Sequence, residues 1–293
     1  MSCAITLGTL LWTAIVERTP EGVRRFVPRA LKEAKRKAVS WDHLLLQSQK
    51  EEKYALGRTE ACAHVISLKR SPYRKRQTIE SLHSEALCYT IFDAIDGFDE
   101  LDDIAVEKYA GRKKRSRLRT TKALTKSQLL GLFEHHQLSG LNGQLRSSLH
   151  ERLRFGVYMS HVTLWQQIID RKLPHMLILE DDVVLEDEFT HRLTKLLEQL
   201  PKNWGLLYLN GSFKHYGSSY GEHLHQSRGG VGLFGYVISS QAAGFFLSKA
   251  ALNSDRAIDL MMDNEVVSGR LLAFYATPPL VHIIPTKKST LAY

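Results

Sequence analysis

Four consecutive apolar residues, Met176 to Leu179, run straight into three carboxylates, Glu180, Asp181 and Asp182, and Val183–Leu185 then resume the apolar character. Such a run reads as a strand buried on both faces, as in a sheet covered by helices. Three acids cannot stay unpaired in that core, because burying a carboxylate without a partner is very costly. The strand therefore ends there, and the acids meet a cation at the carboxyl edge of the sheet, where open α/β sheets bind ligands.

The same patterning extends to both sides. Residues 63–68, A-H-V-I-S-L, read as a strand, and 69–76, K-R-S-P-Y-R-K-R, as a basic turn entering a helix that runs to about Glu85. Ser71 is placed as its N-cap and Pro72 at its first position. A second strand covers Cys88–Ala94, closed by Ile95-Asp96-Gly97. Apolar residues at helical spacing mark Arg154–Arg171 and Phe189–Leu200; Trp204–Asn210 and Leu233–Ser239 read as strands, and Gln241–Ala251 as a helix. Asp255–Val267 carries Asp259, Asp263 and Glu265, and Leu271–Ala276 and Pro278–Ile284 suggest closing strands. The polar stretch Lys214–Val231 reads as a mobile loop over a site. This alternation predicts an α/β fold: a mainly parallel sheet with helices on both faces. Residues 1–60 form a helical extension and 61–293 the main domain.

Composition is that of a globular chain, 43% hydrophobic and 24% charged over 293 residues. The net charge of +9 suits anionic partners such as phosphate-bearing ligands, nucleic acid or a membrane surface, and serves solubility equally well. Six basic residues crowd Gly111–Arg119. Nothing aromatic interleaves them as single-strand stacking would require, so a solvated loop is favoured and nucleic acid is not the expected partner. The apolar stretch Ala4–Val16 falls short of the roughly 18 residues a spanning helix needs, and a docked amphipathic helix is preferred to a cleaved signal. The compartment stays open: cytoplasmic or membrane-peripheral in a prokaryotic or viral setting, lumenal in a eukaryotic one. The three cysteines, Cys3, Cys62 and Cys88, are odd in number and widely spaced. Cys62 and Cys88 flank the first βα unit, yet buried free thiols are expected. No glycine fingerprint of the dinucleotide or Walker kind occurs. His135 and His136, being adjacent, do not share a helix face and make poor joint metal ligands.

Clustered carboxylates at a strand end suit a hard divalent cation, Mg²⁺ or Mn²⁺, that keeps waters and substrate phosphates as its other ligands. The competing use, capping the next helix, falls more naturally to Asp187 and Glu188. His161, alone on an apolar helix face, reads first as a core residue.

Beyond these local readings, V-I-S-L-K-R-S-P-Y-R (65–74), F-D-A-I-D-G (92–97), G-V-Y-M-S-H-V-T-L-W (156–165), L-I-L-E-D-D-V-V-L (177–185), L-L-Y-L-N (206–210), Y-V-I-S-S-Q-A-A (236–243), A-I-D-L-M-M (257–262) and P-P-L-V (278–281) occur in order. This ordered set resembles glycosyltransferase family 25, which includes bacterial lipooligosaccharide and animal procollagen galactosyltransferases, over about residues 61–285. The resemblance implies a GT-A-like fold, a UDP-sugar donor (typically UDP-galactose), a Mn²⁺ or Mg²⁺ ion, and inverting transfer of a hexose to a glycan or protein hydroxyl. It places Leu68, Lys69, Arg70 and Arg74 at the donor pocket with His161 and Glu180, and turns Asp93 and Asp96 toward the nucleoside. Asp181 and Asp182 fall at the metal and diphosphate. Asp259 is the first candidate for the base that deprotonates the acceptor, and Asp263 the second. Two departures stand out: Arg154 replaces a common family glutamate, and a longer polar insert occupies about 120–150. A non-catalytic glycan- or partner-binding protein on the same fold is the alternative.

Overall fold

The computed structural model describes residues 62–98, 128, 143–210, 216–250 and 256–284. The extension 1–60, the basic run 111–119, Cys3 and His135–His136 lie outside the described residues. In order the elements are β1 (Ala63–Ser67), α1 (Pro72–Ser84), β2 (Tyr89–Asp93), α2 (Gly143–Arg171), β3 (His175–Glu180), β4 (Val183–Leu185), α3 (Phe189–Gln199), β5 (Leu206–Tyr208), β6 (Tyr216–Gly221), β7 (Leu224–Ser227), β8 (Gly235–Ser239), α4 (Ser240–Ala250), α5 (Ile258–Val267), β9 (Ala273–Ala276) and β10 (Val281–Ile283).

One eight-stranded sheet runs β2-β1-β3-β8-β5-β9-β7-β6, and β10 pairs with β4 in a small second sheet. β1 pairs in parallel with β2 and β3, and β5 with β9. β8 runs antiparallel between β3 and β5, and β7 antiparallel to β9 and β6. Chaining these pairings, six of the eight strands point the same way, and only β8 and β7 are reversed. The α/β architecture with a mainly co-directional sheet is the one the alternation predicts. The carboxyl ends of β1, β2, β3 and β5 consequently share one edge.

The apolar run of β3 is explained by its two faces. Met176 and Ile178 join a core with Tyr158, Trp165 and Phe246 from α2 and α4. Leu177 and Leu179 join a second core with Leu82 of α1 and Phe189, Leu193 and Leu196 of α3. Val237 and Leu207 alternate in the same way against Tyr236 and Tyr208. With apolar layers on both sides, period-two alternation disappears from the central strands.

Three sequence expectations need correction. Lys214–Val231 is no mobile loop: its described part forms the β6–β7 hairpin that extends the sheet beyond β9. The alternating small and polar residues there are an edge strand's half-exposed pattern, which composition alone confuses with a loop. The helix expected from Arg154 begins at Gly143. Cys62 and Cys88 are joined in a disulfide, with Cα atoms 4.6 Å apart, rather than kept as free thiols. The parallel register Ala63↔Tyr89 puts the preceding residue of each strand side by side, within the span a disulfide bridges.

Candidate active site

The carboxyl edge collects charge from three consecutive strands. β1 ends at Ser67, and Lys69, Arg70 and Arg74 follow on the turn and first turn of α1; Ser71 is the N-cap and Pro72 opens the helix. β2 delivers Asp93 and, in the loop beyond it, Asp96; β3 delivers Glu180, Asp181 and Asp182. The basic turn and the acids interlock. Lys69 Nζ lies 3.4 Å from Asp93 Oδ2, both exposed. Arg70 Nε donates to Asp96 Oδ2 at 2.8 Å, and the same guanidinium lies over the Phe98 ring. Arg74 Nη2 sits 2.8 Å from Asp181 Oδ1 and 2.8 Å from Asp182 Oδ2, so one nitrogen bridges two carboxylates. The Arg74, Asp181 and Asp182 side chains are 12%, 6% and 16% exposed. Leu68 enters through its backbone: its carbonyl accepts the Ser71 N–H, fixing the turn.

Arg74 does not balance the acids. Burial raises the Asp181 and Asp182 carboxyls, and Arg74 opposes that shift. Burial also pushes Glu180 up to about 8, with Asp182, Asp181 and Asp259 adding repulsion against the one guanidinium. Asp181 Oδ2 and Asp182 Oδ1 are buried and make no hydrogen bond of ordinary geometry; Ser67 and the Leu68 backbone lend Asp181 weaker support. Two hard, buried oxygens with surplus negative charge fit a divalent cation that completes its shell with water and phosphate. Among the described residues, no three His, Cys, Asp or Glu side chains converge into an all-protein metal cage.

Helix α2 fixes the loop that carries Asp96. A Cβ on Gly97 would collide with the Arg152 carbonyl, and one on Gly156 with the Ile95 carbonyl, so helix and loop meet backbone to backbone. Ser160 Oγ accepts the Ile95 N–H at 2.9 Å and donates to the Gly156 carbonyl at 2.8 Å; Arg152 Nη1 donates to the Gly97 carbonyl. The G-x-x-x-S-H segment is thus a docking face, and Arg154 on that helix is exposed. His161 is wholly buried, with Nδ1 2.8 Å from the Tyr236 hydroxyl and Nε2 4.0 Å from Glu180 Oε1. Burial lowers its pKa to about 3, so the imidazole is neutral. Trp165 Nε1 donates to the same Tyr236 oxygen at 3.1 Å.

Helix α5 presents the acids of the other wall. Burial raises the Tyr208 phenol at the end of β5, and the charges of Asp263 and Asp259 add to the shift. Asp259 is also felt by Glu180. Asp263 Oδ1 accepts the Gly230 N–H at 2.7 Å, anchoring the loop between β7 and β8. Both candidate acids therefore lie within electrostatic reach of Tyr208, and Asp259 also of Glu180 at the E-D-D strand end. Tyr208 and Tyr236 were outside the site residues picked from sequence. Their signal lay in L-L-Y-L-N and Y-V-I-S-S, where a tyrosine interrupts an aliphatic strand.

Residues 152–262, spanning α2 to α5, match the family model described as glycosyltransferase family 25 (LPS biosynthesis protein). Procollagen galactosyltransferase 2 of Mus musculus is 29% identical over 148 residues, 50% of this chain and 20% of that protein. Inactive glycosyltransferase 25 family member 3 of Homo sapiens is 27% identical over 152 residues, 50% of this chain and 21% of that one. Lacto-N-neotetraose biosynthesis glycosyltransferase LgtE of Neisseria gonorrhoeae is 27% identical over 224 residues, 68% of this chain and 65% of that protein. The matched region is thus about a fifth of the animal relatives' length and just under two thirds of the bacterial one's. The chain is related to glycosyltransferase family 25, some of whose members are galactosyltransferases and some inactive.

Proposed function

We propose that the protein transfers a hexose, galactose foremost, from a UDP-sugar to a hydroxyl of a glycan or protein, with inversion and with a divalent cation held by Asp181 and Asp182. The observation that carries the reading is the pair of buried oxygens, Asp181 Oδ2 and Asp182 Oδ1, that make no hydrogen bond of ordinary geometry, beside a basic helix entry. A Mn²⁺ or Mg²⁺ ion bound there would supply charge neutralisation for the departing diphosphate. Arg74, on the first turn of α1, adds a donor suited to phosphate oxygens, and the amides of that turn favour anions. Asp96, held by Arg70 and by the Phe98 N–H, and Asp93 offer acceptors for a nucleoside.

Inversion needs a base opposite the leaving group. Asp259 takes the acceptor's proton in this scheme as its oxygen attacks the anomeric carbon and UDP leaves. Asp263 is second choice because one of its oxygens already serves Gly230.

A second reading, a non-catalytic binding protein, draws on the same cluster: Arg74 already provides one cation to both aspartates, and the fold's relatives include proteins named inactive. Release of UDP from UDP-galactose, with UDP-glucose alongside, with and without Mn²⁺, decides between them. Metal-dependent release that is lost in Asp182→Ala supports the transferase. Neither turnover nor metal-dependent UDP binding would leave the binding protein.

A further inference from the structure

We infer that Arg74 is a two-position cation: it holds Asp181 and Asp182 together before the donor arrives, and passes to the donor's diphosphate when a divalent ion takes the two carboxylates. The inference rests on the metal-dependent reading above.

The bridging geometry is the starting point. Arg74 Nη2 contacts one oxygen of each aspartate at 2.8 Å, and all three side chains are largely buried. A metal bound by the same two carboxylates would compete with the guanidinium for them, and two cations a few ångströms apart repel strongly at low dielectric. Arg74 therefore opposes metal binding as long as it stays on the two aspartates. It is the third residue of α1, whose first turn contains no acid, so a diphosphate docked at that helix entry would come within reach of its side chain. The arginine stem pivots without moving the backbone, whereas Asp181 and Asp182 are fixed between β3 and β4. Nucleotide diphosphate would draw Arg74 away and open the carboxylates, and metal would do the converse. Such reciprocity is what thermodynamic linkage requires of two coupled ligands.

The test is calorimetric titration of MnCl₂ into the full chain, with and without saturating UDP, for the wild type, Arg74→Gln and Arg74→Met. Wild-type Mn²⁺ affinity should rise about tenfold with UDP, within the usual range of coupled sites. Arg74→Gln should bind Mn²⁺ several-fold more tightly than the wild type when UDP is absent, and should show a smaller rise with UDP, what remains being the diphosphate's own coordination of the ion. Equal or weaker Mn²⁺ binding by Arg74→Gln, with the wild type binding the ion, would make Arg74 a static clamp and leave the transferase reading intact. No Mn²⁺ binding by any form, with or without UDP, would overturn the metal reading and this inference together. Should circular dichroism show Arg74→Gln unfolded, Arg74→Met carries the test, because it keeps an apolar stem and removes the charge. Unchanged Mn²⁺ affinity in that variant overturns the inference.

Discussion

At the scale of single residues, much of the site's order comes from side chains that touch no substrate in the proposed reaction. Ser160 ties the loop carrying Asp96 to α2 by accepting the Ile95 N–H. Ser160→Ala should leave that part-buried amide without its acceptor, at about 1–3 kcal/mol, read as a lower urea midpoint with an unchanged slope. His161 makes a sharper prediction. Its folded pKa is depressed to about 3 from 6.5 by burial. Below pH 6.5 the unfolded chain takes up a proton that the folded chain refuses, so the neutral imidazole's contribution is present above that pH. It is lost progressively as pH falls toward 3, with a limiting slope of about 1.4 kcal/mol per pH unit. Other groups titrate over the same window, so the difference between wild type and His161→Gln is the informative quantity. Urea midpoints at pH 7 and pH 5 should converge between the two proteins as pH falls. A constant gap would mean that His161 takes up its proton alike in the folded and unfolded chain, and that burial does not depress it.

At the scale of elements, legibility followed burial. β3 and β8 were readable because both faces are covered and the runs are apolar throughout; the E-D-D strand end followed from the cost of burying charge. The β6–β7 hairpin reads as a loop in the sequence because an edge strand rich in Gly and Ser carries little hydrophobic signal. The Cys62–Cys88 bridge was misjudged because strand register is a tertiary fact, set by parallel pairing over five residues and absent from spacing. Cross-element capping was equally hidden. Glu188 precedes α3 with a left-handed backbone and provides no side-chain cap, although it and Asp187 had seemed the natural caps. Glu85, just past α1, accepts the Phe189 N–H instead, at 2.8 Å. Thr78 and Ser81 of α1 bond the Val183 carbonyl and Leu185 N–H, so α1 clamps both β4 and the start of α3. Glu85→Ala should cost about 1 kcal/mol, as loss of a helix cap does, measured by thermal unfolding. An unchanged midpoint would show that water replaces the carboxylate without penalty.

At the scale of the whole molecule, the site is assembled from five places far apart in sequence: 67–96, 156–182, Tyr208, Tyr236 and 259–263. Each motif is weak alone, and the co-directional strands make them one edge. What the order of motifs could not supply was a division of labour between Asp259 and Asp263, which share a helix one turn apart. The fold separates them. Asp263 is committed to Gly230, where a Cβ on Gly229 would also press on its carboxylate, so it shapes the loop between β7 and β8. Asp259 accepts the N–H of the adjacent Leu260 and, among the described residues, makes no such tie to another element, and its charge is felt by Glu180 and Tyr208 across the edge. On the proposed reaction, Asp259→Asn should lower turnover by about 10²–10⁴, the usual contribution of a general base, with UDP affinity close to wild type. Asp263→Asn should alter binding and stability together, because it weakens the acceptor for a part-buried amide. Turnover with UDP-galactose, UDP affinity by calorimetry and thermal midpoints, taken on both variants, separate the roles. If Asp263→Asn removes turnover while binding and midpoint are preserved, and Asp259→Asn is silent, the base is Asp263 and the ranking reverses.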